Sequence, residues 1–383
     1  MALDRPPGID IGPLRVDPPV VLAPMAGVTN PPFRTMCRQF GPGLYVSEMI
    51  TARALIEGSP RTRRMVGRAD GEPVHSVQLY GVDPATLAHA VAILVGQIGV
   101  DHIDMNFGCP APKVTKKGGG AALPAHPVLY RRIVAAAVDA AGRVPVTVKM
   151  RIGLDDRTET ATEAALIAEG EGAAAVAIHA RTAEQRYAGH ARWDHITRIK
   201  EVVRSIPVLG NGDIWEASDA LDMQRQTGCD GVVVGRGCLG RPWLFGELAD
   251  AYSSTGPVPP GRHTRHPRFG QVAAVMVEHA RLLAEHLGPE IGARDFRKHT
   301  GWYLTGFPVG AAARRDLALV GSVDELEARL TGIDADMRRP PESARWHRGH
   351  TDGPRPVALP ERWLETRDDP TPPFGAELLV SGG

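Results

Sequence analysis

Short apolar runs rich in β-branched residues recur along roughly the first 240 positions, each closed by glycine, proline or polar residues and followed by a longer stretch with helical spacing. Eight such runs are legible, at residues 20–26, 44–49, 75–81, 102–109, 144–152, 174–182, 206–214 and 231–237. Between them, residues 84–99, 126–142, 158–172, 193–205 and 216–228 carry apolar positions three and four apart, and several of these stretches end at a glycine suited to a helix C-terminus. Strand followed by helix, eight times over, predicts an α/β fold of the closed (β/α)8 TIM-barrel type, with an open doubly wound sheet as the alternative.

After Tyr252 the alternation stops. Residues 1–252 therefore form the expected barrel domain, and residues 253–268, rich in Pro, Gly, Arg and His without periodicity, read as a linker. Helical spacing returns at 271–287 and 290–303, and the stretch 322–330 opens with a Ser followed three residues later by Glu, a capping-box signal. Residues 269–337 are thus a small all-helical domain. From 338 to 383 prolines and charges crowd out apolar residues, which predicts a flexible tail with Trp363 and Leu364 as a local anchor.

Composition narrows the class without choosing a chemistry. An apolar fraction of 43% and a charged fraction of 23% are those of an ordinary water-soluble protein, and no apolar run approaches the roughly 20 residues of a membrane helix. The first 19 residues lack the basic start and apolar stretch of a secretory signal, so a cytoplasmic location and no membrane partner are expected. The four cysteines show no metal-ligand spacing, which predicts neither a disulfide framework nor a bound metal. Acidic and basic residues balance at 44 each, so nucleic-acid binding has to rest on local clusters.

Candidate chemistry gathers where a barrel does its work, at the C-terminal ends of the strands. Pro24, Met25 and Ala26 end the first run, Gln78 the third, Asn106 and Cys109 the fourth, Lys149 and Arg151 the fifth, and His179 and Arg181 the sixth. The seventh ends in Asn211, Gly212 and Asp213, the eighth in Gly235, Arg236 and Gly237. Loops after the last two strands commonly hold phosphate, glycines letting backbone N–H groups approach and arginine adding a charged fork, although the same glycines also serve tight turns. Lys149 closes a strongly apolar strand and needs a negative partner, either a bound anion such as a reduced flavin or Asp104 or Glu48. Cys109 lies in a constrained turn before Pro110, and a thiol of ordinary pKa, roughly 8.5, is mostly protonated at neutral pH and suited to donate a proton.

Read in order, several segments resemble the tRNA-dihydrouridine synthases, the bacterial B-type subfamily in particular. They are residues 22–34 (LAPMAGVTNPPFR), 77–81 (VQLYG), 104–114 (DMNFGCPAPKV), 148–153 (VKMRIG), 178–182 (IHART), 210–214 (GNGDI), 235–237 (GRG) and, in the helical part, 297–308 (RKHTGWYLTGFP). The resemblance spans about residues 12–330, with Phe107 and Pro112 as departures from the usual pattern. It implies FMN as cofactor and NADPH or NADH as electron donor. Pro24, Met25 and Ala26 would lie against the flavin, Gln78 and Lys149 would bind its ring system, and His179 would sit beside it. Asn211, Gly212, Asp213, Gly235 and Arg236 would hold the ribityl phosphate.

The resemblance further implies that Cys109 protonates C5 of a tRNA uridine as hydride from reduced FMN reaches C6, giving 5,6-dihydrouridine, with Asn106, Arg181 and Arg151 at the substrate. The tRNA would dock as on a monomer, across Arg61, Arg63, Arg64 and Arg68, across Lys113, Lys116 and Lys117, and across Arg294, Arg297, Lys298, Arg314 and Arg315 in the helical domain. The competing reading is an FMN barrel oxidoreductase acting on a free small pyrimidine such as dihydroorotate, which would have no use for the basic helical domain.

Overall fold

The computed structural model describes residues 8–254 and 258–376. The described residues open with a hairpin absent from the sequence reading, β1 (Ile9–Ile11) paired antiparallel with β2 (Leu14–Val16) through a left-handed Gly12. Three-residue strands are too short to show a period. Ile9, Ile11 and Val16 nevertheless pack with Val21, Leu44, Val46, Ala175, Leu209 and Val233 inside the barrel, so the hairpin plugs one end of it.

Eight parallel strands then close on themselves. They are β3 (Val20–Leu22), β4 (Leu44–Thr51), β5 (Ser76–Tyr80), β6 (His102–Phe107), β7 (Val146–Arg151), β8 (Ala175–His179), β9 (Val208–Asn211) and β10 (Gly231–Val234), with β10 pairing back onto β3. The closed barrel settles the choice against an open sheet. Because side chains alternate along a strand, His102 and Asp104 of β6 point into the barrel while Ile103, Met105 and Phe107 enter the apolar layer between barrel and helices. The interior is partly polar: His102 bridges Ser76 Oγ (2.7 Å) and Thr147 Oγ1 (3.0 Å), and Thr147 also donates to Asp104. Burial drives the His102 pKa down to about 3, so this central imidazole stays neutral.

Four helices, Phe269–Leu287, Pro289–Tyr303, Gly310–Leu317 and Val323–Thr331, build a second apolar cluster around Val272, Met276, Phe296, Tyr303 and Leu326. It docks on the barrel through Trp243 and through Phe33, which contacts the rings of His279 and His299. Close approach is enabled at Gly240, a left-handed residue where a Cβ would lie 2.3 Å from the Trp302 backbone.

Residues 338–376, where the composition suggested a flexible tail, run as a strap along the barrel. Trp363 is buried, its indole donates to the Ala122 carbonyl (3.0 Å), and its ring stacks on His126 at 3.4 Å between centroids. Arg348 is buried against three carbonyls of the strap itself, and Arg345 pairs with Glu216 and Asp219. Few apolar residues suffice because the barrel supplies the rest of the surface, which composition cannot reveal. Leu364, by contrast, is exposed.

Candidate active site at the C-terminal ends of the strands

Strand register sets the site's layout. Asn106 lies opposite Lys149, Arg151 opposite His179, and His179 opposite Asn211, so polar residues from four consecutive strands form an arc at one barrel end. Beside it, Ala23, Pro24, Met25, Lys149, His179, Arg181, Asn211, Gly212, Asp213, Gly235 and Arg236 line a single cavity of about 100 Å3, together with Tyr187 and Trp215. That is smaller than the roughly 300–1,000 Å3 of a pocket enclosing a whole ligand, and it suits one end of a larger molecule. A larger depression of about 1010 Å3 lies on the outer helices between Arg131, Glu163 and Arg198, away from the strand ends.

The cavity is strongly cationic. Arg181 is fully buried, donates to Asp213 (2.6 Å) and to the Gly189 carbonyl (2.8 Å), and leaves its Nη1 without a hydrogen-bond partner. Arg236 stands 3.9 Å from the same Asp213, the nearest counter-charge to both guanidinia. A buried donor with nothing to bond is costly, about 1–3 kcal/mol or more when charged, and an anion in the cavity would relieve it. Asp213 itself has a left-handed backbone (φ 59°), an uncommon strain at a residue that also accepts from Ala191 N and so ties two loops together.

His179 is held well below its usual pKa, first by burial and then by the nearby Arg151, Lys149, Arg181 and Arg236. It is neutral at pH 7. Burial, more than the neighbouring Arg151, lowers the Lys149 pKa to about 8, while Asp104 works in the opposite direction. The Lys149 ammonium bonds to Asn211 Oδ1 (3.2 Å). Neither ion pair considered from the sequence is made: Asp104 is taken up by Gln78 and Thr147, and Glu48 accepts from Gly27 N (2.8 Å). Glu48 is raised in pKa by burial, which that bond and the charges of Lys298 and Arg61 partly offset.

Cys109 sits on a turn built by Asn106, whose Oδ1 accepts from both Gly108 N (3.1 Å) and Cys109 N (3.0 Å). The Asn106 amide in turn donates to Gln78 Oε1, and Gln78 donates to Asp104. Gln78 and Asn106 are therefore committed to each other and to the cysteine turn. Gly120, left-handed, closes over the turn, for a Cβ there would stand 2.5 Å from the Cys109 carbonyl. Burial raises the Cys109 pKa, against smaller opposing effects of the Ala111 amide, Arg151 and Lys113. The thiol keeps its proton.

Arg151 and Arg181, both expected at the substrate, differ in their surroundings. Arg151 is buried and spends its donors on the carbonyls of Gly108 (2.9 Å), Thr182 (2.9 Å) and Arg186 (2.8 Å), bracing the cysteine turn and the loop after β8. Arg181 lines the cationic cavity and bonds to Asp213 there. Arg151 ends β7 and Arg181 lies in the loop just past β8, so the loops that fold over the rim set the partners of each. Sequence reading missed Tyr187 and Trp215, whose rings flank Arg236 at 4.8 and 5.4 Å; single aromatics in loops carry no periodic signal.

Several residues of the basic clusters have structural partners. Arg297 donates to the Val320 carbonyl, Arg314 to Leu304 and Phe307, Lys117 to Gly375, and Arg68 to Glu72 and Pro73. Arg64, Lys113, Lys116, Arg294 and Arg315 are exposed, and Lys298 reaches from the helical region to within 4.0 Å of a Cβ built on Gly27 at the barrel mouth.

A family model described as dihydrouridine synthase (Dus) matches residues 21–337. The "probable tRNA-dihydrouridine synthase" of Mycobacterium tuberculosis is 53% identical, covering 100% of this chain and 99% of its own length. The "tRNA-dihydrouridine synthase B" of Pseudomonas syringae is 41% identical over 85% of this chain and 93% of its own. Among solved structures, histamine dehydrogenase from Rhizobium sp. 4-9 superposes with a TM-score of 0.50 at 12% identity, covering 86% of this chain and 65% of that one, a likeness of fold. With the barrel, the cysteine turn and the cationic cavity in place, the match across most of its length makes this chain a member of the dihydrouridine synthase family.

Proposed function

We propose that the protein reduces a uridine of tRNA to 5,6-dihydrouridine, with FMN as cofactor and NADPH or NADH as the electron source. The observation that carries the reading is the pairing of a proton-holding Cys109 with a cationic cavity on the same barrel face, one guanidinium nitrogen of which is buried without a partner. The curated relatives' names supply the substrate.

The cavity suits the phosphate end of the cofactor: Arg181 and Arg236 offer charge, one Arg181 nitrogen has no partner, and Gly212 and Gly235 line the wall without side chains. Met25, Lys149 and His179 would lie along its ring system, with the Lys149 ammonium stabilising negative charge there and neutral His179 adding none. Bound FMN, once reduced, would supply the hydride for uracil C6. Cys109 would release the proton on its Sγ to C5, and Asn106, Arg151 and Gly120 would hold the turn that aims it. A uridine within folded tRNA must swing out to reach this face. Arg64, Lys113, Lys116, Arg294, Lys298 and Arg315 would then hold the RNA backbone across the barrel rim and the helical region 269–337.

The test is nucleoside mass analysis of tRNA incubated with the flavin-loaded protein and NADPH, beside Cys109→Ala. The reading expects a gain of about two mass units on uridine, as saturating one double bond requires, and its near loss in the variant. NADPH consumption with unchanged tRNA would overturn the substrate and leave free pyrimidines as the acceptor to try.

A further inference from the structure

The strap that follows the helical region lies beyond residue 337, where the family match ends, yet the mycobacterial relative matches this chain over its whole length. Part of it runs along the rim of the cationic cavity. Main-chain bonds zip it to the loop after β8: Tyr187 N donates to the Asp352 carbonyl (3.3 Å), and Arg355 N donates to the Glu184 carbonyl (2.9 Å). Asp352 also pairs with Arg186 (2.6 Å), a non-glycine residue with a left-handed backbone (φ 51°) whose carbonyl Arg151 holds from the other side. A Cβ on Gly353 would lie 2.3 Å from the Gln185 carbonyl, so strap and loop touch backbone to backbone.

The same segment grips the cavity wall. The His350 carbonyl accepts from Arg236 Nη1 (2.8 Å), and its imidazole stacks on Tyr187 at 6.2 Å, while His347 meets Trp215 edge-on at 5.2 Å. Arg236 is thereby fixed between Tyr187 and Trp215, with one end of its guanidinium turned to the strap and the other toward Asp213. Arg348 and Arg241 lock the base of the segment through the carbonyls of Ser343 and Ala344.

We propose that residues 347–355 of the strap are positioning residues of the anion-binding cavity: they hold Tyr187 and Arg236 in place, and through them set the affinity for the phosphate group of the bound flavin. The strap lines none of the cavity itself. Its effect is indirect, which makes it specific to the ligand's charged end. The inference rests on the flavin reading above.

Phosphate dependence separates this role from simple bracing of the fold. FMN and riboflavin share the ring system and ribityl chain, and only FMN carries the phosphate. Dissociation constants for both would be measured by flavin fluorescence on the full-length protein, its Asp352→Ala variant and its Gly353→Val variant, with thermal melting as a folding check. Freeing Arg236 and Tyr187 to sample other positions should weaken FMN about tenfold in each variant and leave riboflavin within about twofold, cutting the preference for FMN. Asp352→Glu, which keeps the charge facing Arg186, should recover most of it. Should Gly353→Val fail to fold, the half-exposed Asp352 pair decides alone. Equal loss for both flavins, or no loss for either, overturns the positioning role and leaves the flavin reading standing. If the unaltered protein binds neither flavin, both fall together.

Discussion

Trp363→Ala tests whether the strap is part of the folded unit. The indole is 5% exposed, stacks on His126, and contributes to the apolar layer that also holds Leu123 and Ala125. A Cβ on Gly118 would lie 2.5 Å from the ring, so the chain has shaped a slot for it. Truncation of a buried tryptophan to alanine costs about 3–5 kcal/mol, and here it also removes the bond to the Ala122 carbonyl. If strap and barrel unfold together, the urea-unfolding free energy drops by that amount with an unchanged slope. If the strap lets go first, barrel stability holds, but amides 343–363 lose hydrogen-exchange protection and the segment becomes sensitive to protease. An unchanged urea midpoint together with unchanged exchange would refute the strap as described.

Asn106→Ala should reduce dihydrouridine formation about a hundredfold while flavin binding persists, because two turn amides lose their acceptor; equal loss of flavin would show a different role. Raised Cys109 pKa implies that the alkaline fall in uridine reduction, read from pH profiles of kcat/KM, lies above the usual thiol range, and a fall near pH 7 would contradict it. Lys149 has a folded-state pKa depressed to about 8 by burial, so at neutral pH its charge destabilises the cofactor-free protein. Lys149→Met should therefore stabilise that form by about 3 kcal/mol below pH 8, the gain fading toward pH 10.5 as the unfolded chain also loses its proton, and a destabilised variant at pH 7 would reverse the sign. Replacing Arg294 and Lys298 by alanine should raise the KM for tRNA several-fold and flatten its salt dependence without changing NADPH oxidation.

The barrel was legible in the order of residues alone. Eight apolar runs alternating with helical stretches have few ways to bury their faces, and residues 269–337 announced a helical unit by the same logic. The sequence also singled out many of the residues that line the cavity at the strand ends, since polar residues interrupting apolar runs stand out in any strand-like stretch. Which partners those residues take depends on the packed loops around them. Arg151 is the last residue of β7 and Arg181 stands two residues past the end of β8, yet Arg181 faces the cavity with a donor unspent while Arg151 is consumed by three carbonyls. That difference comes from loops folding over the rim. The hairpin plug and the strap were illegible for a related reason: each borrows its core from the barrel, so neither carries enough apolar residues of its own to show a pattern. A local signal predicts what a segment can bury within itself, and only the assembled fold shows what it buries against something else.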